Sequence, residues 1–125
     1  MKVLCLFVRH GLGRYPNALR DLDAWYARHG LLEDRLLWVI DNNLPQGTSP
    51  VPLGSSAILR AGDNHAWEFS GWASAMAEAR AMSGIDVVHF ATSAFNTLYT
   101  GYLEHFRPEM LALVASTRTC AGHID

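Results

Sequence analysis

The chain has 125 residues, a length that predicts one domain, and 50% of its residues are apolar, enough to bury a core. Ten lysines and arginines against twelve aspartates and glutamates give a net charge of −2, which argues against a nucleic-acid-binding protein. The longest apolar run, residues 3–8, is far shorter than the roughly 20 residues of a membrane-spanning helix. Two widely separated cysteines and the lack of a secretory signal favour a cytoplasmic protein.

Apolar, β-branched segments alternate with segments of helical periodicity along the chain. The predicted strands cover residues 2–8, 36–40, 56–60 and 85–90, with a last strand around residues 117–121. The predicted helices cover residues 15–29, 66–82 and 96–114, the third of them broken before Pro108. Residues 41–55, which are rich in proline, glycine and serine, are expected to form a long loop.

This alternation predicts an α/β fold, since strands that alternate with helices form a mainly parallel sheet covered on both faces. We expect a three-layer α/β/α sandwich of Rossmann-like type, in a single domain that spans residues 1–125. Ligands of such folds bind at the carboxyl ends of the strands. The candidate site residues are therefore those that follow each predicted strand.

The first predicted strand leads into the segment 9–14, whose backbone amides and two arginines, Arg9 and Arg14, can hold a phosphate. The alternative is an ordinary turn between a strand and a helix. The run Arg9-His10-Gly11 also resembles the phosphohistidine motif of the histidine phosphatases, which implies phosphoryl hydrolysis at His10. That family needs a second histidine beyond a later strand, whereas His89 lies inside its predicted strand.

The second predicted strand is followed by Asp41, Asn42 and Asn43. A carboxylate and two amides can hydrogen-bond a base or a ribose, because the carboxylate accepts hydroxyl donors and each amide both donates and accepts. The same residue types are also the commonest turn formers, so a binding turn and a plain turn both remain open.

The third predicted strand is followed by a turn that combines polar and aromatic side chains, among which Asn64 and Glu68 can both point toward a ligand. The alternative makes Asp63 or Asn64 the cap of the next helix and places Trp67 and Trp72 in the core. This alternative accounts for most of the residues, but it does not explain why so many polar and aromatic groups are packed around one turn.

The fourth predicted strand ends in Thr92 and Ser93, with Asn96 shortly after. Hydroxyl groups are poor ligands for a hard divalent cation unless carboxylates help. This segment by itself therefore implies no metal site.

Together, four segments resemble the N-terminal, nucleotide-binding half of GT-A-type glycosyltransferases, in particular the family-2-like and rhamnan-synthesis-like bacterial enzymes. The resembling segments are residues 3–8, 38–43, 64–72 and 87–96, of which Asn64-x-x-x-Glu68-Phe-Ser-Gly-Trp72 is the most specific. The resemblance implies a nucleotide-sugar donor with Mg²⁺ or Mn²⁺, and a role in the synthesis of cell-surface polysaccharide. It implies that Asp41 and Asn43 hold the nucleoside and that Asn64 lies beside the donor.

The chain departs from this family at two points. Thr92 and Ser93 stand where metal-dependent members carry acidic ligands, which argues against a bound metal. The chain also resembles only the first half of such an enzyme, without the half that binds the acceptor and supplies the base, so we expect a fragment truncated at the C-terminus, a degenerate relative or one piece of an assembly. We therefore expect hexosyl transfer only where a partner supplies the acceptor domain. One alternative function is phosphoryl hydrolysis through His10 and Arg9. Another is a non-catalytic interaction module that self-associates.

Overall fold

Over residues 1–98 and 105–122, which the computed structural model of the protein describes, five strands and three helices form an α/β fold. The elements follow in the order β1 (Val3–Arg9), α1 (Ala18–Arg28), β2 (Arg35–Asp41), β3 (Val51–Leu53), β4 (Ala57–Ala61), α2 (Trp67–Ala81), β5 (Val87–Thr92) and α3 (Pro108–Thr117). No helix among these residues is long and apolar enough to cross a membrane.

The five strands form one mixed sheet in the order β3-β4-β2-β1-β5. The β1 strand pairs in parallel with β2 and β5, and β2 pairs in parallel with β4, while the short β3 runs antiparallel to β4. The register places Arg9 beside Asp41, Asp41 beside Ala61, and Val8 beside Thr92. The carboxyl ends of four strands therefore meet at one edge of the sheet, as the sequence pattern predicts.

The sheet is buried on both faces, which explains why β1 is an unbroken apolar run. On one face, alternate β1 side chains pack with α1 and with Leu111 of α3. On the other face, the remaining β1 side chains pack with Trp38, Ile40 and the alanines Ala75 and Ala79 of α2. Both faces of a strand between two apolar layers are buried, so its sequence does not alternate between apolar and polar residues.

The α2 helix approaches the sheet through small residues, since its buried positions are Gly71, Ala75 and Ala79. A Cβ on Gly71 would lie 3.0 Å from Cγ2 of Val8, so the backbone of the helix lies close to β1. The helical periodicity predicts Phe69 on the buried face, but its side chain is 65% exposed. That prediction is wrong because small residues, and not the large ones, set the distance between helix and sheet.

The start of α2 also differs from the prediction, because neither Asp63 nor Asn64 caps the helix. Ala66 is the N-cap residue and makes no side-chain cap bond. The hydroxyl of Ser70 instead accepts a 2.8 Å hydrogen bond from the Ala66 N–H and donates one to the carbonyl of Asp63. The hydroxyl of Ser70, which lies inside the helix, therefore takes the place of a capping side chain at the start of α2.

Three predicted elements are corrected along the rest of the chain. The predicted loop 41–55 contains the short strand β3, which pairs with β4 through Val51 and Leu59. The predicted last strand is absent from residues 118–122, because α3 extends to Thr117 and ends at Arg118 in the left-handed conformation, with φ at 53°. Residues 96–98 form turns in place of the predicted helix start, and the remainder of that segment, residues 99–104, lies outside the described residues.

Candidate functional site

A cleft of about 500 Å³ opens where β1, β2 and β5 end, beside the start of α2. It brings together four of the predicted site residues, which are Asn64, Glu68, Thr92 and Ser93. The three basic side chains after β1 line the same cleft, namely those of Arg9, His10 and Arg14. The predicted residues Asp41 and Asn43 lie next to the cleft but do not line it.

Asp41 is a buried carboxylate that binds the protein itself. Its Oδ1 accepts hydrogen bonds of 2.9 Å from the N–H groups of Gly11 and Asn43, and its Oδ2 accepts one of 2.8 Å from Nε of Arg9. Burial works against ionisation, but these three bonds together hold the pKa of Asp41 below its ordinary value. The carboxylate therefore fixes the turn after β1 and leaves ligand contact to its neighbours.

The turn after β1 carries positive charge into the cleft. Arg9 is held by its bond to Asp41, and the exposed Arg14 lies with its guanidinium carbon 5.6 Å from the centre of the Tyr15 ring. Gly11 has a positive φ of 64°, a conformation that suits glycine, and its N–H is the group that Asp41 accepts. This wall of the cleft can bind a phosphate through guanidinium groups, which match phosphate oxygens in pairs.

Asn42 organises a second wall of the cleft, a role that its position in a turn-forming run does not reveal. It is 8% exposed, and its Nδ2 donates a 2.9 Å hydrogen bond to the main-chain oxygen of Trp67. The same Nδ2 lies 3.4 Å from Oδ1 of Asn64. One buried amide from β2 therefore positions two residues that line the cleft.

The carbonyl oxygen of the Asn42 side chain has no hydrogen-bond donor in the described part of the chain and faces two glycines. A Cβ on Gly62 would overlap this oxygen and lie 2.6 Å from Cγ2 of Ile40, and a Cβ on Gly71 would lie 3.0 Å from the same oxygen. The Asn42 amide is oriented with Nδ2 toward Trp67, because the carbonyl oxygen of Trp67 can only accept a hydrogen bond. Both glycines in this stretch thus make room for Asn42.

Trp67 departs from the prediction that it belongs to the core. Its side chain is 73% exposed, and its φ is 51°, a left-handed conformation that a bulky residue rarely adopts. Trp72, by contrast, is half-buried and donates its indole N–H to the carbonyls of Leu6 and Ala91 at 3.0 and 3.3 Å. Of the two tryptophans assigned to the core, one packs on the sheet and the other lines the cleft.

The residues after β5 do not fit a divalent metal ion. Thr92 and Ser93 offer hydroxyl groups, and Glu68 is the single carboxylate among the described residues that line the cleft. The described residues also contain no group of three or more His, Cys, Asp or Glu side chains that could hold a metal. Positive charge at this cleft therefore comes from the basic side chains after β1.

The other histidine that the phosphatase motif requires is absent from the cleft, as far as the described residues show. His89 is buried in the sheet, with Nδ1 2.8 Å from the hydroxyl of Tyr26 and 3.8 Å from Sγ of Cys5. Burial, with a smaller contribution from the Arg35 charge, lowers the pKa of His89 to about 4. His89 lines a second, mainly apolar cavity of about 710 Å³ between β5 and α3.

Comparison of the chain with known proteins gives no relative from which the role of the cleft can be read. The chain matches no protein-family model, no curated protein and no solved structure. What the cleft binds must therefore be inferred from its own residues. These divide into a basic wall after β1 and a wall of amide, carboxylate and indole groups formed by Asn42, Asn64, Trp67 and Glu68.

Proposed function

We propose that the chain is a nucleotide-sugar-binding domain similar to the nucleotide-binding half of GT-A-type glycosyltransferases, acting in the synthesis of bacterial cell-surface polysaccharide. We also propose a Rossmann-like, three-layer arrangement. The strand order β4-β2-β1-β5, with helices packed on both faces of the sheet, supports it. The proposed location is the cytoplasm, since Cys5 and Cys120 both carry free thiols.

The observation that carries this proposal is that one cleft joins a basic wall to a wall of amide and carboxylate groups. Arg9 and Arg14 suit the two phosphates of a nucleoside diphosphate. Glu68 and Asn64, which line the same cleft, suit ribose or sugar hydroxyls, since a carboxylate accepts hydroxyl protons and an amide also donates. A free phosphate would need only the first of these walls.

The proposal does not require a metal ion. In place of a divalent cation, the exposed guanidinium group of Arg14 meets the charge of the diphosphate, and Arg9, whose Nε is paired with Asp41, can donate its remaining N–H groups. Asp41 supports this role, because its bonds to the Arg9 side chain and to the Gly11 N–H hold the turn in place. We therefore expect nucleotide binding to persist when divalent cations are removed.

The test is a thermal-unfolding screen with UDP, GDP, dTDP, CMP and inorganic phosphate, each measured with Mn²⁺ and with EDTA. A ligand at one hundred times its Kd stabilises the fold by roughly 2.7 kcal/mol, which raises the Tm by several degrees. We expect one nucleoside diphosphate to do so under both conditions. Arg14→Gln should weaken its binding about tenfold, since one of the two guanidinium contacts is lost.

The control is Arg20→Gln, because Arg20 is an exposed arginine of α1 that lies outside the cleft and should leave nucleotide affinity unchanged. A screen in which no nucleotide raises the Tm contradicts the proposal. Stabilisation by inorganic phosphate alone, together with phosphate release that His10→Ala abolishes, would favour hydrolysis instead.

A further inference from the structure

The side chain of Trp67 is the most exposed large apolar group in the described part of the chain, at 73%. It lines the cleft between the flanking residues Asn64 and Glu68. An indole ring in water gives up the favourable free energy that burial would supply. A ligand that covers this ring would supply the burial that the fold does not.

The main chain of Trp67 is held in an unusual conformation by a specific contact. Its φ of 51° is left-handed, and its carbonyl accepts the 2.9 Å hydrogen bond from Nδ2 of Asn42. Asn42 is more than nine-tenths buried, and Gly62 and Gly71 leave the space that its side chain occupies. A buried residue, two glycines and a strained main chain thus act together to present one indole ring at the cleft.

We propose that Trp67 is the platform on which the sugar ring of the donor stacks, with Asn64 and Glu68 taking its hydroxyl groups. This inference rests on the proposed function and names the part of the ligand that lies at this wall. A pyranose has a face of C–H groups that packs on an aromatic ring, and a rim of hydroxyls that need a carboxylate and an amide. The diphosphate then reaches the arginines that line the same cleft.

A stacked nucleobase is the competing occupant, and the polar neighbours favour the sugar. Uracil and thymine offer one ring N–H donor beside two carbonyl acceptors, so Glu68 can accept from one group of such a base. A pyranose carries several hydroxyl groups, and each of them can donate to Glu68 or exchange hydrogen bonds with the amide of Asn64. A polyol therefore offers these two flanking side chains more donors than a pyrimidine does.

The experiment compares a nucleoside diphosphate with its sugar-bearing form by calorimetry, on the full chain and on three variants. Trp67→Ala should weaken binding of the nucleotide sugar about tenfold and change binding of the nucleoside diphosphate less than twofold. Trp67→Phe keeps an aromatic face and should restore most of the affinity. Phe69→Ala removes an equally exposed aromatic ring outside the cleft and should leave both affinities unchanged.

Equal losses for both ligands in Trp67→Ala would place the base on the indole and overturn the inference, as would unchanged affinity for both. A second measurement separates this inference from the proposed function. Saturation-transfer NMR with methyl hexopyranosides needs no nucleotide, and its signal should disappear in Trp67→Ala. If nucleotides fail to bind but this signal is present and lost in the variant, the proposed function is wrong and the sugar platform stands. If no methyl glycoside gives a signal and no nucleotide sugar depends on Trp67, the platform is wrong.

Discussion

The side-chain amide of Asn42, directly after β2, donates a 2.9 Å hydrogen bond to the main-chain oxygen of Trp67, the first residue of α2. This bond spans 25 residues of sequence and ties the end of a central strand to the start of the helix that covers it. The amide is buried and the bond is partly buried, so the bond is partly shielded from competing water. The position of the Trp67 indole at the cleft therefore depends on a residue that does not itself resemble a ligand-binding group.

Asn42→Ala should lower the free energy of unfolding by about 1–2 kcal/mol, since it removes a partly buried hydrogen bond and leaves the Trp67 carbonyl without that donor. Urea unfolding at pH 7 measures this change. The control is Asn96→Ala, because Asn96 is exposed and its 3.3 Å contact with Asp21 should contribute less than about 0.5 kcal/mol. Equal stability of the two variants would show that Asn42 does not hold α2.

Gly62→Ala tests the space that Asn42 requires. The added methyl group would overlap Oδ1 of Asn42 and lie 2.6 Å from Cγ2 of Ile40, so one of these buried side chains must move. We expect a loss of about 2–3 kcal/mol, the usual cost of overpacking a core. Gly13→Ala is the control, because no atom lies within 4 Å of its new methyl group, and it should change stability by less than about 0.5 kcal/mol.

Much of the fold could be predicted because it follows from local pattern. The apolar runs of β1, β2 and β5 lie within two residues of their predicted ends, since strands buried on both faces leave continuous hydrophobic runs. The strand β3 was not predicted, because three residues that include Pro52 carry no strand signal and depend on pairing with β4. The strand β3 therefore forms because it pairs with β4, and its own residues do not predict it.

The sequence predicts where the candidate site lies, but it does not predict what each residue of the site does. Strand ends point to Asp41 and Asn42 alike, and only the distances show that Asp41 binds its own loop while Asn42 holds Trp67. Composition likewise favours a buried Trp67, because exposure of an indole cannot be inferred from its spacing. Contacts between residues distant in sequence decide these roles, and a single sequence carries no direct record of them.

Asp41→Asn should be among the most destabilising single changes near the cleft. The carboxylate accepts three hydrogen bonds, and an amide in its place would direct a donor at Nε of Arg9, whose side chain is 10% exposed. Breaking a buried pair of this kind costs about 3 kcal/mol. Chemical unfolding at pH 7 measures it.

The control for Asp41→Asn is Glu78→Gln, which disturbs the Arg60–Glu78 pair, whose carboxylate is 64% exposed. A pair that faces water contributes at most about 1 kcal/mol. The contribution of the Asp41 carboxylate to stability also depends on pH, and it is lost in acid. Because the pKa of Asp41 is lowered in the folded protein, its contribution is complete above the ordinary aspartate pKa of 3.8 and is lost as the pH falls further. A loss in Asp41→Asn no greater than that in Glu78→Gln would mean that Arg9 finds another partner.

His89 should make the fold sensitive to mild acid. Burial lowers the pKa of His89 to about 4, whereas an exposed histidine in the unfolded chain titrates near 6.5. The unfolded chain therefore binds a proton that the folded one excludes, and stability falls as the pH drops from about 6.5 to about 4. The groups that face His89 do not reverse this sign, because burial raises the pKa of the Cys5 thiol to about 12 and Arg35 is a positive charge.

The measurement is urea unfolding at pH 7.5 and at pH 5.0 for the wild-type chain and for His89→Gln, which keeps a polar group near Tyr26 but does not titrate. The wild type should lose about 2 kcal/mol more than the variant between these two pH values. His65→Gln is the control, since His65 is exposed and should leave the wild-type pH dependence intact. The same loss in all three proteins would mean that His89 already takes up its proton in the folded state, and that the contacts with Tyr26 and Cys5 tolerate a charged ring.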